Sequence, residues 1–194
     1  MLPALPVKLL CDTAPEWVAL AVARFDEVLV DHAHCEKKAA ASALSLLSTF
    51  PQAKGLPRAM ARLAREEAGH LGQVLAILDK RGLVLGRDLG DPYVQGLMKL
   101  QRNPADERLI DRLLVSALIE QRSEERLRLL SEHLPDPDLR AFYARLAQSE
   151  EGHCNLFLRL ARKSAGEAAD ARLAELLPEE ARLVRDLPVR AAIH

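Results

Sequence analysis

Aromatic residues are scarce. One Trp, two Tyr and four Phe make up 4% of 194 residues. Ala, Leu, Arg and Glu dominate instead, a mix that favours helix. Cysteines are few, odd in number and scattered, at Cys11, Cys35 and Cys154. No Cys-x-x-Cys occurs, which excludes a zinc ribbon or a rubredoxin-type iron site and argues for a reducing, cytoplasmic setting. Net charge is small, −1, so no global field attracts nucleic acid, although a local basic patch remains open. No apolar run reaches the ~20 residues a membrane span needs. The amino-terminal stretch lacks the charged n-region and cleavage site of a secretory signal, and none is expected. No flavin or nicotinamide fingerprint is present.

What is there is an ordinary globular composition, 49% hydrophobic and 28% charged. The length suits one domain over 1–194 with a sizeable core. Residues 1–14, with Pro3 and Pro6, read as an extended lead-in. Asp12 or Thr13 can cap a short helix from Pro15. A long helical pattern then runs to about Phe50, with the apolar stripe Leu29, Ala33, Glu36, Ala40, Ala43, Leu47. A second runs from Gly55 or Leu56 to Lys80, with Met60, Leu63, Glu67, His70, Val74, Ile77, and stops at Gly82.

Residues 82–104 break the pattern with Gly82, Gly86, Gly90, Pro92, Gly96 and Pro104. This is a long crossover with room for a short helix from Tyr93 to Leu100, and a loop this long is often functional. A third helix is expected over about 105–133, its stripe Leu109, Leu113, Ser116 or Ala117, Glu120, Leu127. Pro135 and Pro137 make a turn. A fourth follows from Asp138 to about Lys163, with Leu139, Tyr143, Leu146, Glu150, His153, Phe157, Leu160. A covering helix over about 167–186 carries Leu173, Leu176, Leu177, Leu183 and Val184, with Pro178 expected to interrupt it. The residues after it read as loose. The core bundle spans about 24–163.

The stripes hold a surprise at their centres. Glu36, Glu67, His70, Glu120, Glu150 and His153 stand where Leu would be expected. A carboxylate in a core costs several kcal/mol unless it is paired or bound to metal. The pattern also repeats. Ala61-Arg62-Leu63-Ala64-x-x-Glu67-x-Gly69-His70 matches Ala144-Arg145-Leu146-Ala147-x-x-Glu150-x-Gly152-His153 at an offset of 83 positions. Each half is a helical hairpin bearing a Glu and then Glu-x-x-His, whose members share one helix face. Short connections within halves and a long one between them is the layout of an all-α four-helix bundle with one long crossover, in which such ligands bind two irons or manganese ions.

Four carboxylates cancel the charge of two divalent metals, so the cluster tolerates a core. Mixed oxygen and nitrogen donors suit iron or manganese, while thiolates would suit zinc or copper(I). Cys35 and Cys154 fall one residue off the stripes and are excluded as ligands. One Glu-x-x-His alone is common in a Glu-rich helical chain. Two in register, with core-facing Glu at matching offsets, are not explained by a solvated face. Glu66 and Glu151 adjoin the motifs, but the stripe favours Glu67 and Glu150; Glu124, one turn after Glu120, is read either as a hydrogen-bonding neighbour of the ligands or as a solvated residue. His32 is read as an ordinary partly buried histidine or as a hydrogen-bonding neighbour of the ligands. His133 is read as a helix C-terminal cation and Tyr93 as packing.

Beyond the ligand pattern, Asp31-His32-Ala33-His34-Cys35-Glu36-Lys37-Lys38-Ala39-Ala40 and Leu113-Leu114-Val115-Ser116-Ala117-Leu118-Ile119-Glu120-Gln121-Arg122-Ser123 resemble the MiaE-type tRNA hydroxylases. The resemblance continues through Phe142-Tyr143 and Ser149-Glu150 to His153 and covers most of the chain. It departs at Glu124-Glu125-Arg126, where the family leads one to expect Cys-Glu-Arg. It implies a ferritin-like fold, a non-haem di-iron monooxygenase, and metal ligands at Glu36, Glu67, His70, Glu120, Glu150 and His153. It also implies O2 as co-substrate, tRNA as partner and electrons from a separate reductase. The reaction implied is hydroxylation of the isopentenyl side chain of a methylthiolated adenosine beside the anticodon.

Candidate phosphate contacts are Lys54, Arg58, Arg65, Arg81, Arg87, Lys99 and Arg102, with the crossover as entrance. Rival readings are a ferritin-like ferroxidase or iron-storage protein, a peroxide scavenger, or a non-enzymatic helical module with buried salt bridges. Monomer and small oligomer are both left open.

Overall fold

A computed structural model describes residues 7–194, with backbone alone at 105 and 106. Part of the lead-in expected over 1–14 lies outside the described residues. Seven helices and no strand occur among them: α1 Pro15–Ala23, α2 Phe25–Thr49, α3 Leu56–Lys80, α4 Pro92–Met98, α5 Ala105–His133, α6 Pro137–Ala165 and α7 Glu167–Asp186. No helix of the described residues is long and apolar enough to cross a membrane. The chain divides into two compact units. One comprises Ala23–Gly90 with Ala191–Ile193; the other comprises residues up to Val22, Asp91–Arg190 and His194.

The first unit is the α2–α3 hairpin. Leu29, Ala33, Ala43 and Leu46 are buried on α2, and Met60, Leu63, Val74 and Leu78 on α3. Each such leucine contributes roughly 1.5–3 kcal/mol. The stripes hold at their centres and shift at their ends, where Leu46 and Leu78 are buried in place of Leu47 and Ile77. A 3.6-residue period allows a step of three or four, and packing selects between them. α3 ends as expected: Gly82 has φ 68, and Leu83 N–H donates back to Leu78 O at 3.0 Å, closing the turn that only a left-handed residue completes. Arg81 bonds Asp26 at 2.6 Å and lies 5.4 Å above the Phe25 ring.

The second unit is the α5–α6 hairpin, joined by α1, α4 and α7. α6 starts at Pro137 because Asp136 accepts from the Asp138 and Leu139 N–H groups. α4 starts because Asp91 Oδ1 accepts from Val94 N–H at 2.9 Å. α4 approaches α7 so closely that a Cβ at Gly96 would sit 2.6 Å from Leu183 Cδ2. α5 is buried on more sides than its stripe suggests. Leu114, Val115, Leu118 and Arg122 are buried along with Leu113, Ala117 and Glu120, and Ala117 rather than Ser116 fills the stripe.

Three expectations are corrected here. Thr13 does not cap α1: its hydroxyl donates to Glu125 Oε2 at 2.6 Å and its N–H to Glu125 Oε1 at 2.9 Å. Pro178 does not interrupt α7. It sits on the exposed face, as does Ala174, whose carbonyl loses its N–H partner and can be hydrated instead. The residues after α7 are not loose. Ala192 and Ile193 are buried, Ile193 N–H donates to Asp31 Oδ2 at 2.7 Å, and the His194 ring stacks on Tyr93 with centroids 5.5 Å apart.

Arg122 anchors the outer side of α5. It is fully buried and donates to Glu180 Oε1 at 2.8 Å, to Cys11 O at 2.7 Å and to Glu125. Tyr93 Oη–H also donates to Glu180 Oε1 at 2.9 Å. Removing one partner of a buried pair strands the other charge. Arg122→Leu is therefore expected to cost about 3–5 kcal/mol in urea unfolding of the metal-free protein. A loss below about 1 kcal/mol, the worth of a surface pair, would overturn the importance given to this network.

Candidate metal centre

Each hairpin brings its own three predicted residues together. In the α2–α3 unit, Glu36 comes from α2, and Glu67 and His70 from α3. One oxygen from each carboxylate and a ring nitrogen of His70 lie within 4.8 Å of one another. His70 Nδ1 is 3.2 Å from Glu67 Oε2 and 3.6 Å from Glu36 Oε2. Glu36 and Glu67 are buried, and the His70 side chain retains 12% exposure. In the α5–α6 unit, Glu120 comes from α5, and Glu150 and His153 from α6. Their donor atoms again lie within 4.8 Å of one another, and all three residues are buried. His153 Nδ1 is 3.6 Å from Glu150 Oε2. Both histidines thus turn Nδ1 toward a carboxylate on their own helix, as the spacing of three requires.

His32 is the neighbour whose role the sequence left open. It is buried, and its Nε2 lies 2.7 Å from Glu36 Oε1. A carboxylate only accepts, so the ring nitrogen donates. Burial opposes ionisation of Glu36, but hydrogen bonds from His32 and His70 outweigh it and hold this carboxyl far below the usual carboxylate range. Burial likewise opposes charge on His70, yet Glu36 and Glu67 raise its pKa from 6.5 to about 10. The pair of carboxylates demands a positive charge beside it. A proton on His70 supplies that charge, and a metal cation on the same donors would replace it.

The donor sets fit iron. They are hard oxygens and imidazole nitrogens, with no thiolate among them. Burial pushes the Cys154 thiol up to about 12, with Glu124, Glu151 and Glu150 adding to the effect. The thiol stays protonated in the metal-free protein, and Cys154 is in neither Glu, Glu, His set. Cys35 Sγ lies 3.6 Å from Asp31 Oδ2, outside the α2–α3 set. Glu124 accepts from Gln121 Nε2 at 3.0 Å, and Glu66 and Glu151 are exposed. Ser149 Oγ lies 3.5 Å from His153 Nε2, a contact legible only as the step of four between them. His133 Nδ1 meets Leu129 O at 2.9 Å at the end of α5, consistent with a helix-terminal role.

Two of the expected phosphate contacts are otherwise engaged. Arg81 pairs with Asp26, and Arg102 donates three times to Asp111, from its backbone N–H at 2.8 Å and its guanidinium at 2.9 and 2.7 Å, and also to Glu107. Lys54, Arg58, Arg65, Arg87 and Lys99 are exposed.

Two helical hairpins, each with a buried Glu, Glu, His set, are the arrangement of a ferritin-like carboxylate protein. A solved structure titled "Protein 43 with aldehyde deformylating oxygenase activity from Synechococcus" superposes with a TM-score of 0.92 at 37% identity, covering 97% of this chain and 96% of that one. The fold class is thus all-α and ferritin-like, the four-helix type with one long crossover and flanking helices. The chain belongs to the family described as tRNA-(MS[2]IO[6]A)-hydroxylase (MiaE), whose model matches residues 1–194. It is 40% identical over 177 residues to the tRNA 2-(methylsulfanyl)-N(6)-isopentenyladenosine(37) hydroxylase of Pseudomonas putida, covering 91% of this chain and 86% of that protein. The protein of the same name from Salmonella typhimurium is 34% identical over 134 residues, 69% of this chain and 49% of its own length.

The raised pKa of His70 sets a pH dependence. Stability from its bound proton is full below 6.5 and lost as pH rises through about 10. The melting temperature of the metal-free protein should fall across that window, and His70→Gln should flatten the fall. Calorimetry at pH 7 in buffers of different ionisation enthalpy should also detect a proton released on ferrous ion binding. Parallel pH profiles for wild type and variant would reject the assignment.

Proposed function

We propose that the protein is an O2-dependent di-iron monooxygenase that hydroxylates the isopentenyl side chain of 2-methylthio-N6-isopentenyladenosine next to the tRNA anticodon. One observation carries this reading. Two buried Glu, Glu, His sets stand at matching places of an internal repeat, in a chain that the hydroxylase family matches from end to end. Glu36, Glu67, His70, Glu120, Glu150 and His153 are the residues that would hold two irons, in a chain read as one ferritin-like domain over 1–194. Iron, when bound, supplies the activation of O2 that an unreactive C–H bond needs. One oxygen atom enters the C–H bond and the other leaves as water, consuming two electrons and two protons. The chain carries no flavin or nicotinamide fingerprint, so a separate reductase delivers the electrons.

The chain's own residues do the rest. The glutamates balance the charge of the metals, the apolar stripes around them keep bulk water out, and the histidines set orientation through Nδ1. The target base reaches the site extruded from its loop. Phosphates are met by exposed cations on α3 and the crossover, namely Arg58, Arg65, Arg87 and Lys99. The ferroxidase, peroxide-scavenging and salt-bridge readings have no comparable support.

A single turnover tests the reaction. Protein loaded with ferrous iron is mixed with prenylated, methylthiolated tRNA, exposed to O2, and the digested nucleosides are weighed by mass spectrometry. One added oxygen on the prenyl group is expected, absent in Glu67→Ala and Glu150→Ala. A simple aldehyde serves as the control substrate. Oxidised iron with an unchanged nucleoside would reject the assignment.

The RNA contact is tested separately. Arg87→Ala with Lys99→Ala should weaken tRNA binding and lower the slope of log affinity against log salt by about 1 per residue, with iron content unchanged. Equal affinity and slope would clear both residues of the role.

A further inference from the structure

The two most exposed large apolar side chains of the described residues stand on one short stretch of the crossover. Val84 is 83% exposed and Leu89 88%, and the exposed Arg87 lies between them in sequence. Residues 83–90 belong wholly to the α2–α3 unit and form no helix, yet they are fastened. Asp88 Oδ2 accepts from Lys37 Nζ at 3.1 Å, Lys38 Nζ lies 3.9 Å from Asp88 Oδ1, and that oxygen also accepts from Gly90 N–H at 2.9 Å. Gly86, at φ 64, bends the stretch between the two aliphatic residues in a conformation that other side chains rarely adopt. Lys37 follows Glu36 directly in α2, so this strap is tied down at the helical level of the α2–α3 donor set.

The surroundings are cationic. From position 37 to position 65 the chain carries Lys37, Lys38, Lys54, Arg58, Arg62 and Arg65 and no acidic residue, and all of these cations but Lys38 are exposed. Such a stretch attracts a polyanion, and its phosphates would be served by the cations alone. Charge does not explain two aliphatic side chains held out in water by a fastened strap. A single-stranded RNA loop has what both features need, phosphates along its backbone and apolar faces on its bases.

We propose that the strap over 83–90 grips the RNA loop through its bases, with Val84 and Leu89 packing against the bases beside the target nucleoside and Arg87 meeting the adjoining phosphate. Val84 and Leu89 are positioning residues. The inference rests on the reading of the protein as a tRNA hydroxylase and goes beyond its phosphate contacts. Its physical basis is the stacking that a base loses when it leaves the loop. Apolar side chains set against its former neighbours replace part of that contact, and a strap already fastened through Asp88 needs little ordering to do so.

Anaerobic binding of the iron-loaded full chain to an anticodon stem-loop tests this. The RNA carries the prenylated, methylthiolated adenosine with 2-aminopurine as its neighbour, whose fluorescence rises when stacking is lost. Wild type should raise it. Leu89→Ser and Val84→Ser should each weaken binding about 5- to 100-fold, the range for one base contact. They should also blunt the fluorescence rise and leave the slope of log affinity against log salt unchanged. Leu89→Met should behave as wild type. Arg87→Gln should lower the slope by about 1 and keep the rise. Both aliphatic positions are exposed, so melting temperatures should match wild type.

Serine variants with wild-type affinity and the full fluorescence change would overturn the inference. Variants that bind RNA normally but slow turnover with a ferredoxin and its reductase as electron source would overturn it too, assigning the strap to the electron donor. A wild-type dimer dissociated by Leu89→Ser would assign the strap to a second copy of the chain instead. These outcomes leave the hydroxylase reading intact. A wild type that does not bind the modified RNA would overturn that reading and the inference with it.

Discussion

Negative charge inside the helical hairpins is the constraint on which the rest of the structure depends. Glu36, Glu67, Glu120 and Glu150 all occupy buried positions on stripes otherwise filled by Leu, Met, Ala and Phe. A carboxylate there loses its hydration and must recover it from protein donors or a cation. The molecule answers with imidazoles: His32 and His70 around Glu36, and His153 beside Glu150. Around Glu36 the imidazole contacts hold the carboxyl ionised, and Glu36 and Glu67 in turn draw a proton onto His70. A core with this charge is a poor resting place for apolar packing and a good one for divalent cations. The glycines shared by both motifs are less easily explained. Added side chains at Gly69 and Gly152 would meet nothing within 4 Å, and their presence in both halves has no packing account.

Most of this was legible in the sequence because register carries it. A helix face fixes which residues lie together, so the Glu-x-x-His spacing fixed the pairs Glu67–His70 and Glu150–His153. The repeat then singled out Glu36 and Glu120 as their partners. Helix ends were legible where chemistry is local, as at Gly82, while α6 begins at Pro137, one residue earlier than the turn reading placed it. What the sequence hid depends on contacts far apart in the chain. Arg81 and Arg102 read as free cations until Asp26 and Asp111 are seen beside them. Thr13 reads as a helix cap until Glu125 is found to hold both its N–H and its hydroxyl. Pro178 reads as a break because the cost of a missing hydrogen bond depends on whether water replaces it, and exposure is not written in local sequence. The final residues read as loose because no periodicity announces that Ile193 will be buried and tied to Asp31.

The halves of the repeat have therefore diverged more in their surroundings than in their ligands. From 111 to 127, α5 has no exposed residue. Its inner side carries Glu120, and its outer side carries Arg122, engaged with Glu180 and Glu125. α3 is covered on one side only and leaves Arg58, Arg62, Arg65 and Glu66 in solvent.

That difference divides the freedom to change. A substitution on the outer side of α5 must satisfy a buried ionic network, so nearly every one carries a stability cost. On the outer side of α3 the same substitution falls at exposed positions such as Arg58, Arg62 and Arg65. One half of the repeat is thus constrained by burial and the other open to change. A search for variants that accept a different RNA, or a different electron donor, would find most of its viable sequences on α3.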